Sequence, residues 1–312
     1  MFQEFTRRML AGLVITTWLA GCQPSSELPP PTESVSTRTV DHAMGTSEVP
    51  ISPQRVVVLD TPPLDTALAL GIKPVGTAIY GQPPPYLGDK VQDIEIIGDG
   101  NQPNLETVLR LRPDLILGSK VGHQALYSQL TQIAPTVLTE GSGRATDWPE
   151  NLRLYGQALG KSEQVEQLLQ TYKQRVHQLR DKLDNPQSLK ISVLIVYSDR
   201  VSAYTTGSFS GSILQDVGLA RTPAQDDPEG YAVQLSPEAL DDLDGDYIFL
   251  IYSTFRPGGF QKEAFMADPI WSQLQAVQQD RVCQVNSRVW ISGRSVLAAN
   301  QVLADIETCL TQ

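Results

Sequence analysis

Chemistry in this chain would have to come from a short roster of side chains. The three cysteines, Cys22, Cys283 and Cys309, are too widely spaced for a metal-binding CxxC pair. The three histidines, His42, His123 and His177, are too scattered for an all-His transition-metal site. Gly98-Asp99-Gly100-Asn101-Gln102-Pro103 opens like a dinucleotide loop, but its sixth residue is Pro and only a short helix follows, so that fingerprint fails. Neither a GxxxxGK-Ser/Thr phosphate loop nor GxSxG occurs, which removes two common enzyme classes. A formal net charge of -11 argues against a nucleic-acid partner; only a local cluster of Arg could hold an anion. Two carboxylates stand out by placement. Glu106 and Glu238 each follow a helix-capping residue, Asn104 or Ser236, and each precedes by eight residues an Asp that opens an apolar strand, Asp114 or Asp246. A carboxylate in a first turn is favoured by the helix dipole, which is explanation enough locally. Their equivalent positions in two halves of the chain leave a functional role open.

The elements that would position these groups centre on residues 162–183. Val165, Leu168, Leu169, Tyr172, Val176, Leu179 and Leu183 step by three and four and form one apolar stripe of a helix about six turns long. Ser162 is the expected N-cap, and Asn185-Pro186 stops the helix. On both sides strands alternate with helices. Near-continuous apolar runs at 55–60, 94–98, 114–118, 191–197 and 247–251 read as buried parallel strands, and 296–310 reads as a final amphipathic helix. His42 beside the turn glycine Gly45 reads as structural or as a ligand, and Cys283 and Cys309 as a bridge or as buried thiols.

At 312 residues, 41% hydrophobic and 19% charged, the chain suits a soluble protein with two cores. Arg7 and Arg8 precede a short apolar run and Leu19-Ala20-Gly21-Cys22, the layout of an export signal. Leu-Ala-Gly-Cys resembles the lipobox of bacterial lipoproteins, which implies lipidation of Cys22. The expected organisation is a signal over 1–22, a Ser/Pro/Glu/Thr tether over 23–37, an α/β lobe over 38–158, a linker helix over 159–185 and a second α/β lobe over 186–312.

Several segments carry a resemblance along nearly the whole mature chain, in order. They are His42-Ala43-Met44-Gly45-Thr46, Pro53-Gln54-Arg55-Val56-Val57-Val58-Leu59, Leu68-Ala69-Leu70-Gly71-Ile72-Lys73-Pro74-Val75-Gly76, Leu111-Arg112-Pro113-Asp114-Leu115-Ile116, Ile133-Ala134-Pro135-Thr136-Val137 and Ser208-Phe209-Ser210-Gly211. Together they resemble the substrate-binding lipoproteins of iron-siderophore ABC transporters. The resemblance implies two Rossmann-like α/β lobes joined by a single long helix, the class III architecture, with a citrate-type or hydroxamate-type ferric-siderophore held between them. It implies no catalysis, no resident cofactor, a lipid-anchored monomer outside the cytoplasmic membrane, and docking of Glu106 and Glu238 on the two permease subunits. Cobalamin or haem is the alternative cargo, for which His123 is the one well-placed His. A hydrolase or reductase on the same lobes is a more distant reading.

Iron(III) prefers oxygen donors, which a chelator brings itself, so the protein need only grip the periphery. Arg forks suit carboxylates and carbonyl oxygens, and aromatic faces cover apolar linkers. Loops at strand ends then supply Tyr80, Lys120 and His123 in the first lobe. In the second they supply Arg200, Tyr204, Phe209, Tyr231, Arg256, Trp290 and Arg294. Trp290 and Arg294, four residues apart in one loop, head that set. On this reading Arg294→Ala weakens ligand binding and leaves thermal unfolding nearly unchanged.

Overall fold

The computed structural model describes residues 36–197, 200–252 and 269–311. The expected signal, Cys22 and Arg256 lie outside the described residues, as do the side chains of Pro237 and Glu238. An antiparallel hairpin, Thr37–His42 with Gly45–Pro50, opens the fold. It docks on the first sheet where the Ala43 amide donates to the Leu138 carbonyl at 3.0 Å. His42 is structural: its Nδ1 accepts from the Met44 amide and its Nε2 meets the Ser47 hydroxyl at 3.0 Å.

The first lobe is a five-stranded parallel sheet in the order Glu95–Ile96, Gly76–Thr77, Val56–Val58, Leu115–Ser119, Thr136–Thr139. Its central strands are buried on both faces, which is why they read as unbroken apolar runs. The expected 94–98 strand is interrupted at Ile97, with Gly98 at φ +121 turning the chain into a small hairpin with Gln102–Pro103. The second lobe orders its strands Ala232–Leu235, Val201–Tyr204, Lys190–Val196, Tyr247–Tyr252, Val282–Asn286, and Ala220–Arg221 also pairs with Lys190–Val196. Val201–Tyr204 runs antiparallel to its neighbours, while the other pairings of Lys190–Val196 are parallel. The turn-rich neighbourhoods of Ala220–Arg221 and Ala232–Leu235 gave no strand signal.

The echo between the halves has a common hydrogen-bond device. Asp114 accepts from the amides of Gln54 and Arg55 at 2.7 and 2.9 Å, and Asp246 accepts from the Lys190 amide at 2.8 Å. In each lobe a carboxylate at the mouth of one strand therefore fixes the start of the next strand over. The preceding helices differ. Leu105–Arg110 is α-helical and is capped by Asn104, whereas Pro237–Leu243 is a 3-10 turn broken at Ala239.

The linker helix runs Ser162–Lys182, inside the expected 159–185. Its N-cap is Lys161 with no side-chain bond, so Ser162 does not cap it; Asn185 at φ 50 and Pro186 end the segment. Val165, Leu169, Tyr172, Val176 and Leu179 are buried and the opposite face is exposed. At 1.5 Å per residue the helix spans about 30 Å. It is not a bare rod. It packs on Trp148–Ala158 of the first lobe and on Phe209–Val217 and Val296–Leu310 of the second, and one apolar core continues through it from Val40 to Ile306. Separate clusters cover the other faces of the two sheets. The lobes thus have cores of their own and a common seam along the helix.

Cys283 and Cys309 are disulfide-bonded with Cα atoms 6.1 Å apart, tying the edge strand Val282–Asn286 to the last helix. Closing a loop across their 26-residue separation restricts the unfolded chain. That restriction is worth about 3 kcal/mol by loop entropy. Equilibrium denaturation of the Cys283→Ser/Cys309→Ser variant should show a loss of this order. An unchanged midpoint, with or without reductant, would count against a stabilising bridge.

Candidate functional site

The site begins where the first helix meets the last. Asp60 ends the segment after Val56–Val58 and N-caps the helix Thr61–Ala69, its Oδ1 accepting from the Thr61 amide at 2.7 Å. The same carboxylate receives both bonds of the Arg294 Nη2, at 3.0 and 2.9 Å, and Arg294 Nη1 donates to the Ser142 carbonyl at 2.7 Å. Arg294 and Asp60 are buried, so this ion pair between lobes is shielded from water. Arg294 holds φ +55, a left-handed conformation that costs a non-glycine residue roughly 1 kcal/mol and persists only where its surroundings dictate it.

One helical turn on, Asp65 crosses the same joint. Its two oxygens accept from the Leu297 and Ala298 amides, each at 3.0 Å, at the N-terminus of the last helix, and Tyr86 donates to it at 3.0 Å. The carboxylate thus meets the positive end of a helix dipole. Burial outweighs these bonds and pushes Asp65 up to about 6.

Around this joint lies a set of phenols and guanidinium groups from both lobes. Tyr80, half-exposed, donates to Asn101 Oδ1 at 2.9 Å. Burial first and Asp60 second raise its pKa, with Arg294 and Arg144 opposing. From the second lobe, Tyr204 and Tyr231 meet edge to face at 5.4 Å, and Arg200 lies over the Tyr197 ring at 4.4 Å. Burial raises Tyr231, and the positive charges of Arg144 and then Arg294 pull it back. Arg144, exposed on the loop after Thr136–Thr139, acts on Tyr80, Tyr204 and Tyr231 alike. Arg288, buried, reaches the Tyr80 carbonyl across the lobes at 3.5 Å.

The sequence expectations divide accordingly. Tyr80 and Arg294 lie at the joint, with Tyr231 standing exposed on the second lobe. Tyr204 requires correction: it is buried in the core and meets Tyr231 edge to face, and Arg200 is placed only over the Tyr197 ring. Lys120 sits at the end of Leu115–Ser119, paired with Glu140 at 2.7 Å on the surface. Trp290 requires correction: it is 1% exposed, stacks on Phe249 at 4.6 Å and donates Nε1 to Asp305 at 2.8 Å, so it is core. Phe209 is core too, edge-on to Trp148 at 6.2 Å. His123 is buried with Nε2 on the Gly100 carbonyl at 3.0 Å and Nδ1 on the Ser119 backbone, so neither nitrogen is open to a metal or cofactor. Arg144, Arg288, Tyr197 and Asp60 went unnamed in the sequence. The strand-end rule that picked Lys120 covers Arg144 equally, behind Gly141-Ser142-Gly143.

A hollow of about 630 Å³ lies between Pro85-Tyr86 and the edge strand Val282–Asn286. Its lining holds Asp305 and no cation, which suits an anion poorly. Among the described residues no group of three His, Cys, Asp or Glu is placed to hold a bare ion.

The sequence profile described as periplasmic binding protein matches residues 56–289. The chain belongs to the periplasmic binding protein family. Among members of that family, it is 35% identical over 291 residues to the probable siderophore-binding lipoprotein YfiY of Bacillus subtilis, covering 88% of each chain. It is 32% identical to the achromobactin-binding periplasmic protein of Dickeya dadantii, covering 81% of this chain and 85% of that one. Among solved structures it superposes on Staphylococcus aureus SirA complexed with staphyloferrin B with a TM-score of 0.77, at 30% identity, covering 88% of this chain and 99% of that one. The two-lobe periplasmic binding protein architecture expected from the sequence is the one observed.

The buried ion pair overturns the expectation that Arg294→Ala leaves unfolding unchanged. Removing one partner strands Asp60 in the interior, which costs roughly 3–5 kcal/mol. Urea denaturation should show that loss, and an unaltered midpoint would mean Asp60 is hydrated. For Asp65 the sign runs the other way from a stabilised carboxylate. Its folded pKa of about 6 lies above the ordinary 3.8, so its contribution is greatest below pH 4 and falls away as pH rises to 6. The stability difference between wild type and Asp65→Asn should therefore shift against wild type by roughly 3 kcal/mol over that window and then level off. A flat difference from pH 4 to 7 would contradict the assignment.

Proposed function

We propose that this protein captures a ferric-siderophore between its lobes and delivers it to an ABC permease for iron uptake. What supports the reading is the joint itself on a binding-protein scaffold: Arg294 of the second lobe is locked on Asp60 and Ser142 of the first, and the Arg144 side chain stands exposed two residues beyond Ser142, with Tyr80 on the first lobe and Tyr231 on the second as the accessible phenols. It is a transport protein rather than an enzyme, and it works outside the cytoplasm at the membrane. Iron arrives wrapped in the chelator's oxygens and is cargo. Phenols and guanidinium groups grip the complex at its edge, by charge-assisted hydrogen bonds and ring contact. Citrate-type chelators, whose carboxylates keep negative charge at the periphery, suit the arginines better than hydroxamate-type ones. Neither ring nitrogen of His123 can serve as an axial ligand, which weighs against haem or cobalamin.

The finer assignments rest on sequence position. Lipidation of Cys22 supplies the membrane anchor, and the protein acts as a monomer. Glu106, in the first turn of Leu105–Arg110, and Glu238, in the turn Pro237–Leu243, dock on the two permease subunits. Titration of purified protein with ferric citrate, ferrichrome and ferric enterobactin, followed by intrinsic fluorescence, tests the main reading. At least one should bind with a micromolar or better Kd, about −8 kcal/mol or more favourable. In cells, Glu106→Ala with Glu238→Ala should abolish iron uptake from that chelate while leaving its binding intact. Full uptake by the double variant would remove both glutamates from docking.

A further inference from the structure

Residues 141–147 leave the first-lobe strand Thr136–Thr139 and return to the first-lobe helix Trp148–Ala158. Both ends of this loop belong to one lobe, yet its middle is held by the other. Arg294 Nη1 donates to the Ser142 carbonyl at 2.7 Å, and the Phe209 amide donates to the Arg144 carbonyl at 2.8 Å. Between those carbonyls Gly143 stands at φ +75. A Cβ there would lie 2.8 Å from the Arg294 carbonyl oxygen and 3.1 Å from its Cβ, so the close approach of the two backbones requires glycine. From its own side, Asp147 fixes the loop by accepting from the Gly143 amide at 3.1 Å and from Asn151 Nδ2 at 2.9 Å.

The backbone at 142–144 is thus anchored from both lobes, while the Arg144 side chain is exposed. Among the described residues it makes no side-chain hydrogen bond or ion pair. Arg294 is in the opposite condition: buried, with its guanidinium committed to Asp60, Ser142 and the Ser292 carbonyl. The uncommitted charge of this pair is the one on the loop.

We propose that loop 141–147 is a strap between the lobes, that Arg144 is the cleft's specificity-determining cation, and that Arg294 is its positioning residue, acting through Ser142 without touching the ligand. The proposal rests on the ferric-siderophore reading and names the cargo class more closely: chelates that retain negative charge at their periphery, in preference to uncharged ones. A pre-anchored backbone lowers the ordering cost of meeting an anionic arm. Because two of its anchors cross the joint, any lobe movement that draws Phe209 or Arg294 away also withdraws Arg144.

The test compares ferric citrate with ferrichrome, an uncharged hydroxamate chelate, as ligands for wild type, Arg144→Gln, Gly143→Ala, Arg294→Lys and the combinations with Arg144→Gln. Arg144→Gln should weaken ferric citrate by about tenfold or more, flatten its salt dependence and leave ferrichrome within about threefold. Gly143→Ala and Arg294→Lys keep both cations but disturb the strap. Each should lower the citrate-to-ferrichrome ratio in the same direction, and neither should add to the loss once Arg144 is already Gln. Thermal melts establish that each variant is folded. Equal losses for both chelates, or strap variants additive with Arg144→Gln, would overturn the positioning role. A wild type that binds ferrichrome and not ferric citrate would overturn the strap's selectivity while the transport reading stands. Binding of neither, with ferric enterobactin also rejected, would bring down both.

Discussion

The structure depends on how two carboxylates of one short helix are used. Asp60 caps the N-terminus of Thr61–Ala69 and Asp65 lies at its middle, and neither faces water. One is matched by the Arg294 fork and the other by the amides that open the last helix. Both partners belong to the final fifty residues of the chain, so the beginning and end of the fold are joined through charge as well as through apolar packing. A buried carboxylate with no partner is costly. Each can exist only if the other lobe is present and in place, which makes the pose of the lobes a condition of stability. The apolar seam along Ser162–Lys182 tolerates sliding; a buried ion pair in which Arg294 Nη2 spans both Asp60 oxygens while Nη1 holds the Ser142 carbonyl does not.

A second pair of carboxylates, one in each lobe, does a local job. Asp114 and Asp246 bind strand-opening amides on the neighbouring strand and set where it begins. This was readable as an eight-residue spacing from Glu106 and Glu238, although the spacing could not reveal what the aspartates touch. Their partners, Gln54, Arg55 and Lys190, lie about sixty residues earlier in the chain. The alternation of strands and helices, the long amphipathic helix and the final helix were all legible for the same reason: each rests on local periodicity. The strands Ala220–Arg221 and Ala232–Leu235 were not, because they are short and owe their form to the edge they join.

Site residues were legible only by type and by loop position, and burial decided among them. Trp290, Phe209 and His123 have the right chemistry for a ligand and the wrong surroundings. An indole N–H paired with Asp305, or an imidazole bonded at both nitrogens, is already satisfied. Arg294 was read as a ligand contact, but its charge is neutralised by Asp60. Sequence distance hides this, since 234 residues separate the two. Arg144 was missed because a Gly-Ser-Gly run reads as a plain loop; its significance comes from Gly143 permitting contact with a residue of the other lobe.

The charge distribution follows from the same economy of partners. The chain carries a net -11, so an anionic chelate approaching at random meets repulsion. Fields fall off within about 8–10 Å at physiological salt, and the local arrangement therefore outweighs the total. Arg144 is exposed and Arg200 half-buried, whereas Asp60 is buried behind Arg294. Pairing the joint's negative charge internally leaves the Arg144 guanidinium, which has no side-chain partner among the described residues, as the exposed charge beside it. On the proposed reading, an acidic protein then meets an acidic cargo through local positive charge, whatever its net charge.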